Sequence, residues 1–175
     1  MTIDTRPLAP TPFEGIDLPS FTLTSSTLTD DAPMPESATA RAGSLSPDLT
    51  WEGFPERTAS FMLTCFDPDA PIPSGWWHWT ILDIPVSMTH LDEGAGASDL
   101  TLDGPAFHLR GDAGEASYFG AAPPVGDRPH RYIFTVHALD VDTLGLDDDA
   151  TPAMASFAAL EHTIARATLT VTHQA

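Results

Sequence analysis

Arg131-Tyr132-Ile133-Phe134-Thr135-Val136-His137-Ala138-Leu139-Asp140-Val141 is the stretch whose reading decides the fold class. Successive side chains of an extended chain point to opposite sides, so Tyr132, Phe134, Val136 and Ala138 share one face. Ile133, Thr135, His137 and Leu139 share the other. Apolar residues on both faces mark a strand sandwiched between two layers. Ala59 to Phe66 is a near-continuous apolar run and reads as a second central strand. Trp79-Thr80-Ile81-Leu82-Asp83-Ile84 is a third, closed by Pro85, which cannot donate to a ladder. Phe21-Thr22-Leu23-Thr24 and Thr168-Leu169-Thr170-Val171-Thr172 alternate as half-buried strands do. The stretches 25–48 and 92–105, rich in Pro, Gly and Asp, read as loops. One helix is expected after Thr151, a plausible N-cap followed by Pro152 at the first helical position. In it Met154, Phe157, Leu160 and Ile164 recur at helical spacing as one apolar stripe. Many strands, long loops and a late helix imply a mainly β fold, a β-sandwich with helical decoration.

The chain has 175 residues, of which 42% are hydrophobic, enough for a single domain over 1–175 with a sizeable core. The Pro-rich residues 1–19 read as an N-terminal arm laid over the surface. The charge balance is extreme: 25 acidic residues against seven basic ones, all arginine, give a net charge of −18. Such a chain repels nucleic acid and anionic membrane surfaces. The acids are scattered, as a solubilising surface requires, apart from Asp147-Asp148-Asp149 just before the helix start. The single cysteine, Cys65, lies in the apolar run and reads as a buried, inert thiol. No basic segment followed by an apolar stretch opens the chain, and no apolar run approaches a membrane span. A cytoplasmic setting without stable membrane association is expected.

Chemistry-bearing residues gather at two places. Asp67-Pro68-Asp69-Ala70-Pro71 precedes Trp76-Trp77-His78-Trp79, and Tyr118-Phe119-Gly120-Ala121-Ala122-Pro123-Pro124-Val125-Gly126 leads to His130-Arg131-Tyr132. Each runs between a strand and a loop, where binding groups are commonly mounted. Asp before Pro is an ordinary turn starter and Trp beside His is often core. It is the pairing of two loops with two histidine-bearing strand starts that raises the set above its parts.

Together these motifs resemble the phosphatidylethanolamine-binding family, which includes the Raf-kinase-inhibitor-like proteins. Ser46-Pro47-Asp48-Leu49-Thr50-Trp51, Glu93-Gly94-Ala95-Gly96 and the run from Phe157 to Ala167 resemble its bacterial and archaeal branch. The resemblance implies an antiparallel Greek-key β-sandwich with a few peripheral helices and a small anion-binding cavity. Carried over by motif position, Asp67, Asp69 and Pro71 form one wall, and His78 and His130 supply ring nitrogens. Gly120 with Ala122, Pro123 and Pro124 closes the opposite side, and Tyr118 and Tyr132 are further candidates. Ala122 stands where many relatives have Gly, leaving less room. His137 stands where many have Tyr and is read as a packed or surface residue without a role.

In such a pocket, imidazoles and turn N–H groups would donate to a phosphate, while a carboxylate fixes a histidine tautomer or meets an ammonium. The expected ligands are therefore phosphate or a phosphoethanolamine-like head group, bound without a cofactor or metal. The alternative is a protein regulator that inhibits a kinase or a protease. An enzyme holding a metal on Asp67, Asp69, His78 and His130 is the weakest reading: the spacing matches no helix-borne metal motif, and no Gly-x-Ser-x-Gly elbow is present. Relatives of the bacterial branch imply a homodimer.

Overall fold

The computed structural model describes residues 6–175, so residues 1–5 of the expected arm lie outside the described residues. The strands are β1 (Thr22–Thr24), β2 (Ala32–Pro33), β3 (Leu49–Glu52), β4 (Ser60–Asp67), β5 (Trp76–Pro85), β6 (His90–Leu91), β7 (Phe107–His108), β8 (His130–Leu139) and β9 (Thr163–His173). They form a six-stranded sheet of order β2-β9-β8-β4-β5-β7 and a three-stranded sheet of order β1-β3-β6. All pairings are antiparallel except β2 with β9. The mainly β architecture expected from alternation is the one observed.

The period-two pattern of the central strands sorts their side chains into two layers. Phe61, Leu63 and Cys65 of β4, with Tyr132, Phe134 and Val136 of β8, join Trp51 of β3 in the core between the sheets. Met62 of β4 and Leu82 of β5 face the opposite side, together with Ala155 and Ala159. Edge-on rings hold the inter-sheet core: Trp51 meets Phe61 at 5.5 Å, and Phe54 meets Phe61 at 4.8 Å. Each such buried side chain stabilises by roughly 1.5–3 kcal/mol. Cys65 is fully buried, and burial raises its thiol pKa well above the usual value.

The helix is α1 (Pro152–Ala158), with the Thr151 hydroxyl accepting from the Met154 N–H at 3.2 Å as its N-cap. Its stripe does not face the core. Met154, Phe157 and Leu160 are 54%, 77% and 55% exposed, and the buried contacts are made by Ala155 and Ala159. Alanines let the helix approach the sheet closely, and that turns the large side chains outward. The helix also ends before Leu160, so Ile164 belongs to β9 rather than to a continued stripe. The two loops contain short 3-10 turns at Glu36–Ala38, Ala40–Ala42, Ala95–Ala97 and Asp99–Thr101.

The arm is retained over 6–19 as a strap on the sheet. Its end runs beside β9, where the Arg166 N–H donates to the Pro19 carbonyl at 3.0 Å. Further up, the Phe13 ring lies 3.9 Å from the Arg166 guanidinium and edge-on to His137 at 5.3 Å. His137 is thus a packed residue, and burial pushes its pKa down to about 3. No helix among the described residues is long and apolar enough to cross a membrane.

Candidate functional site

Asp67 closes β4, His78 stands near the start of β5, and His130 opens β8. Because β4 lies between β5 and β8, antiparallel pairing brings all three to the same end of the sheet. A cavity of about 370 Å³ opens there, floored by Asp67, His78, His130 and Tyr132 and walled by Ala70, Pro71, Ile72, Trp76, Phe119, Ala122, Pro123 and Pro124.

The Asp67 carboxylate is buried and fully engaged. One oxygen accepts from the N–H groups of Asp69 (2.7 Å) and Ala70 (3.0 Å), which folds the loop into a turn. The other lies 2.7 Å from His130 Nδ1. On the far side of that ring, Nε2 lies 3.0 Å from Asp127 Oδ2. Burial alone would depress the His130 pKa, but the bonds to Asp67 and Asp127 outweigh it and raise it. With an acceptor at each nitrogen, the ring is held as an imidazolium. The bond from His130 is also the first cause that keeps the Asp127 carboxyl below its ordinary value. His130 therefore has no ring nitrogen left for a ligand.

His78 is arranged differently. Its Nδ1 donates to the Phe119 carbonyl at 2.7 Å, which fixes the tautomer and leaves Nε2 without a protein partner among the described residues. Burial lowers its pKa, against the opposing pull of the Phe119 carbonyl and the Asp67 charge, so the ring is neutral at pH 7. In that state Nε2 is an acceptor; only on protonation does it become a donor. The Tyr132 ring meets His78 edge-on at 5.0 Å. Burial pushes the Tyr132 phenol well above its usual pKa, so it keeps its proton, and the hydroxyl has no acceptor of good hydrogen-bond geometry.

Three expected residues do not line the cavity. Asp69 turns away to Arg131, with Nε at 2.7 Å, Nη2 at 2.8 Å and the Arg131 N–H at 3.0 Å; although burial opposes it, that pairing lowers the Asp69 pKa. Tyr118 is a core residue whose hydroxyl donates to the Ala38 carbonyl at 2.8 Å. Gly120 supports the wall from behind: a Cβ there would sit 2.4 Å from the Thr39 backbone, so only glycine lets this loop pack on 38–40. Asp69 fails as a wall residue because the next strand offers it a guanidinium, a stronger partner than water.

Asp127 escaped the sequence reading, as did the Phe119 carbonyl and the Ile72 side chain. The signal for Asp127 was its position three residues before His130, after a Gly126 turn with φ +81°. The four residues weighed as a metal set do not converge, since Asp69 faces Arg131 and both nitrogens of His130 are occupied. Of the tryptophans near the site, Trp76 lines the cavity, Trp77 packs on Phe66 at 4.5 Å, and Trp79 is buried in the core.

The sequence and fold have clear relatives. Residues 24–174 match the family model described as phosphatidylethanolamine-binding protein. The chain is 44% identical to YbhB of Escherichia coli K12 over 126 residues, covering 72% of this chain and 79% of YbhB. It is 44% identical to YbcL of the same organism over 133 residues, covering 75% of this chain and 73% of YbcL. The crystal structure of E. coli YbcL, described as a new member of the mammalian family, superposes with a TM-score of 0.86 at 38% identity, covering 89% of this chain and 99% of that one. A homologue from Chlamydia trachomatis gives a TM-score of 0.76 at 30% identity, covering 89% and 98%. With the motif residues gathered at one end of the sandwich and this match over nearly the whole chain, the chain belongs to the phosphatidylethanolamine-binding protein family.

Proposed function

We propose that this chain is a non-enzymatic binding protein for a small ligand with an anionic or zwitterionic head, such as phosphate or a phosphoethanolamine-like group. The observation that carries this reading is the Nε2 of His78, unpartnered among the described residues, at the floor of a cavity whose walls are otherwise apolar. A ligand head there meets His78, which donates once it takes up a proton. An attached apolar body rests against Pro71, Ile72, Trp76 and Pro124. His130, held between Asp67 and Asp127, orders the floor rather than touching the ligand. Asp67 in turn adds the negative charge that favours protonation of His78 when an anion arrives.

The test is a titration with phosphoethanolamine, followed by Trp76 emission and by diffraction from a soaked crystal. Density within hydrogen-bond reach of His78 Nε2 is expected. An empty cavity at millimolar ligand would refute the reading. Regulation of a kinase or protease is a second use of the same mouth, favoured by the exposure of Ile72 (42%) and Val125 (91%) beside it. Such exposed apolar groups at an opening suit contact with another protein.

A further inference from the structure

The charges around the floor of the main cavity are answered from within the protein. His130 lies 2.7 Å from Asp67 and 3.0 Å from Asp127, and Arg6 stands 3.4 Å from Asp127, so two carboxylates face two cations. Asp69 is paired with Arg131 at 2.7 Å. Asp112, the other carboxylate near His78, is exposed and accepts the Trp77 N–H at 2.8 Å.

What the neutral floor offers a guest is an uncharged acceptor. The His78 proton sits on Nδ1, where the Phe119 carbonyl takes it at 2.7 Å, so the neutral ring carries a lone pair on Nε2. No donor meets that lone pair among the described residues. The walls do not compete for it: Pro71, Pro123 and Pro124 have no N–H, and the side chains of Ala70, Ile72 and Phe119 have no polar atom. A charged head entering here would lose its hydration without gaining a free counter-charge. A neutral donor satisfies the lone pair and brings no charge into the cavity.

We infer that, while His78 is neutral, the cavity binds a neutral hydroxyl compound with a compact apolar body, its O–H donating to His78 Nε2. A volume of about 370 Å³ suits a small guest of this kind. The inference rests on the reading of this cavity as a ligand site with His78 at its floor, and adds a second ligand class to it. An anion enters together with a proton, whereas an alcohol needs none.

The test is calorimetry of the full chain at pH 8 with cyclohexylmethanol and with its methyl ether, which has nearly the same body but no proton to donate. The alcohol is expected to bind about fivefold more tightly, the worth of one neutral hydrogen bond. His78→Phe, which keeps a ring and removes both nitrogens, should abolish that preference. In the unmodified chain the His78 Nε2 nitrogen resonance should shift as the alcohol is added, while Nδ1 keeps its proton. That measurement reads the site without relying on a variant that must fold. Equal affinity for alcohol and ether, a preference that survives in His78→Phe, or an Nε2 resonance that does not move at saturation overturns the inference. If sulfate binds at acid pH but the alcohol does not bind at pH 8, this inference falls and the anion reading stands. If neither binds, both fall.

Discussion

Anion binding in the main cavity should carry a proton with it. His78 donates Nδ1–H to the Phe119 carbonyl, and burial holds its pKa below 6.5 in the free protein. Above that pH a bound anion meets a lone pair on Nε2 unless a proton enters too. A charge-assisted hydrogen bond to the imidazolium is worth about 1.5–3 kcal/mol. At 1.36 kcal/mol per pKa unit, it raises the bound-state pKa by about one to two units above the free-state value. Affinity then falls by a decade per pH unit between the two pKa values, about ten- to a hundredfold in all. Sulfate is the ligand of choice because it does not titrate in this range. Trp76, which lines the cavity, is the reporter, followed by emission from about pH 4 to pH 9, because the free-state pKa of His78 lies below 6.5. His78→Gln should lower affinity at the acid end of the range by the same factor and flatten the profile. A flat profile in the unmodified chain, or a slope that survives in His78→Gln, would refute this account.

Three further outcomes follow from the packing. His137 has a folded pKa near 3 against 6.5 for the free group, so the unfolded chain takes up the proton first as pH falls. Its neutral burial therefore favours the fold fully above pH 6.5, and about 2 kcal/mol of that is lost by pH 5; urea unfolding at pH 8 and pH 5 should show this difference shrinking in His137→Leu. Asp67→Asn breaks the buried contact with His130 and should destabilise by about 3–5 kcal/mol, whereas a change below 1 kcal/mol, measured by urea unfolding, would mean the pair is not a keystone of the site. Phe157→Ser on the exposed face of α1 should shift stability by no more than about 0.5 kcal/mol; a loss of several kcal/mol in the same assay would restore the core-facing stripe that the sequence alone implies.

The strands and the family were written in the residue order. Alternation in 131–141 and the apolar run 59–66 gave β8 and β4, because burial on two faces leaves a pattern that needs no partner to be recognised. The motifs placed Asp67, Pro71, His78, Ala122, Pro124, His130 and Tyr132 around one cavity, since each sits at a strand end or in the loop beside it. What the order of residues could not carry was the direction in which each side chain turns. Asp69 and Asp67 are two residues apart with the same chemistry, yet one meets Arg131 and the other His130, because these consecutive residues of β8 point to opposite faces of the sheet. Asp127 and the Phe119 carbonyl became visible only when the loops carrying them were brought against His130 and His78. The helix shows the same limit from the opposite side: its periodicity identified an apolar face, but the alanine contact with the sheet decided which face is buried. Local pattern determines where the chain extends or coils; hydrogen bonds between distant residues, and the depth to which layers approach, exist only once the sandwich has closed.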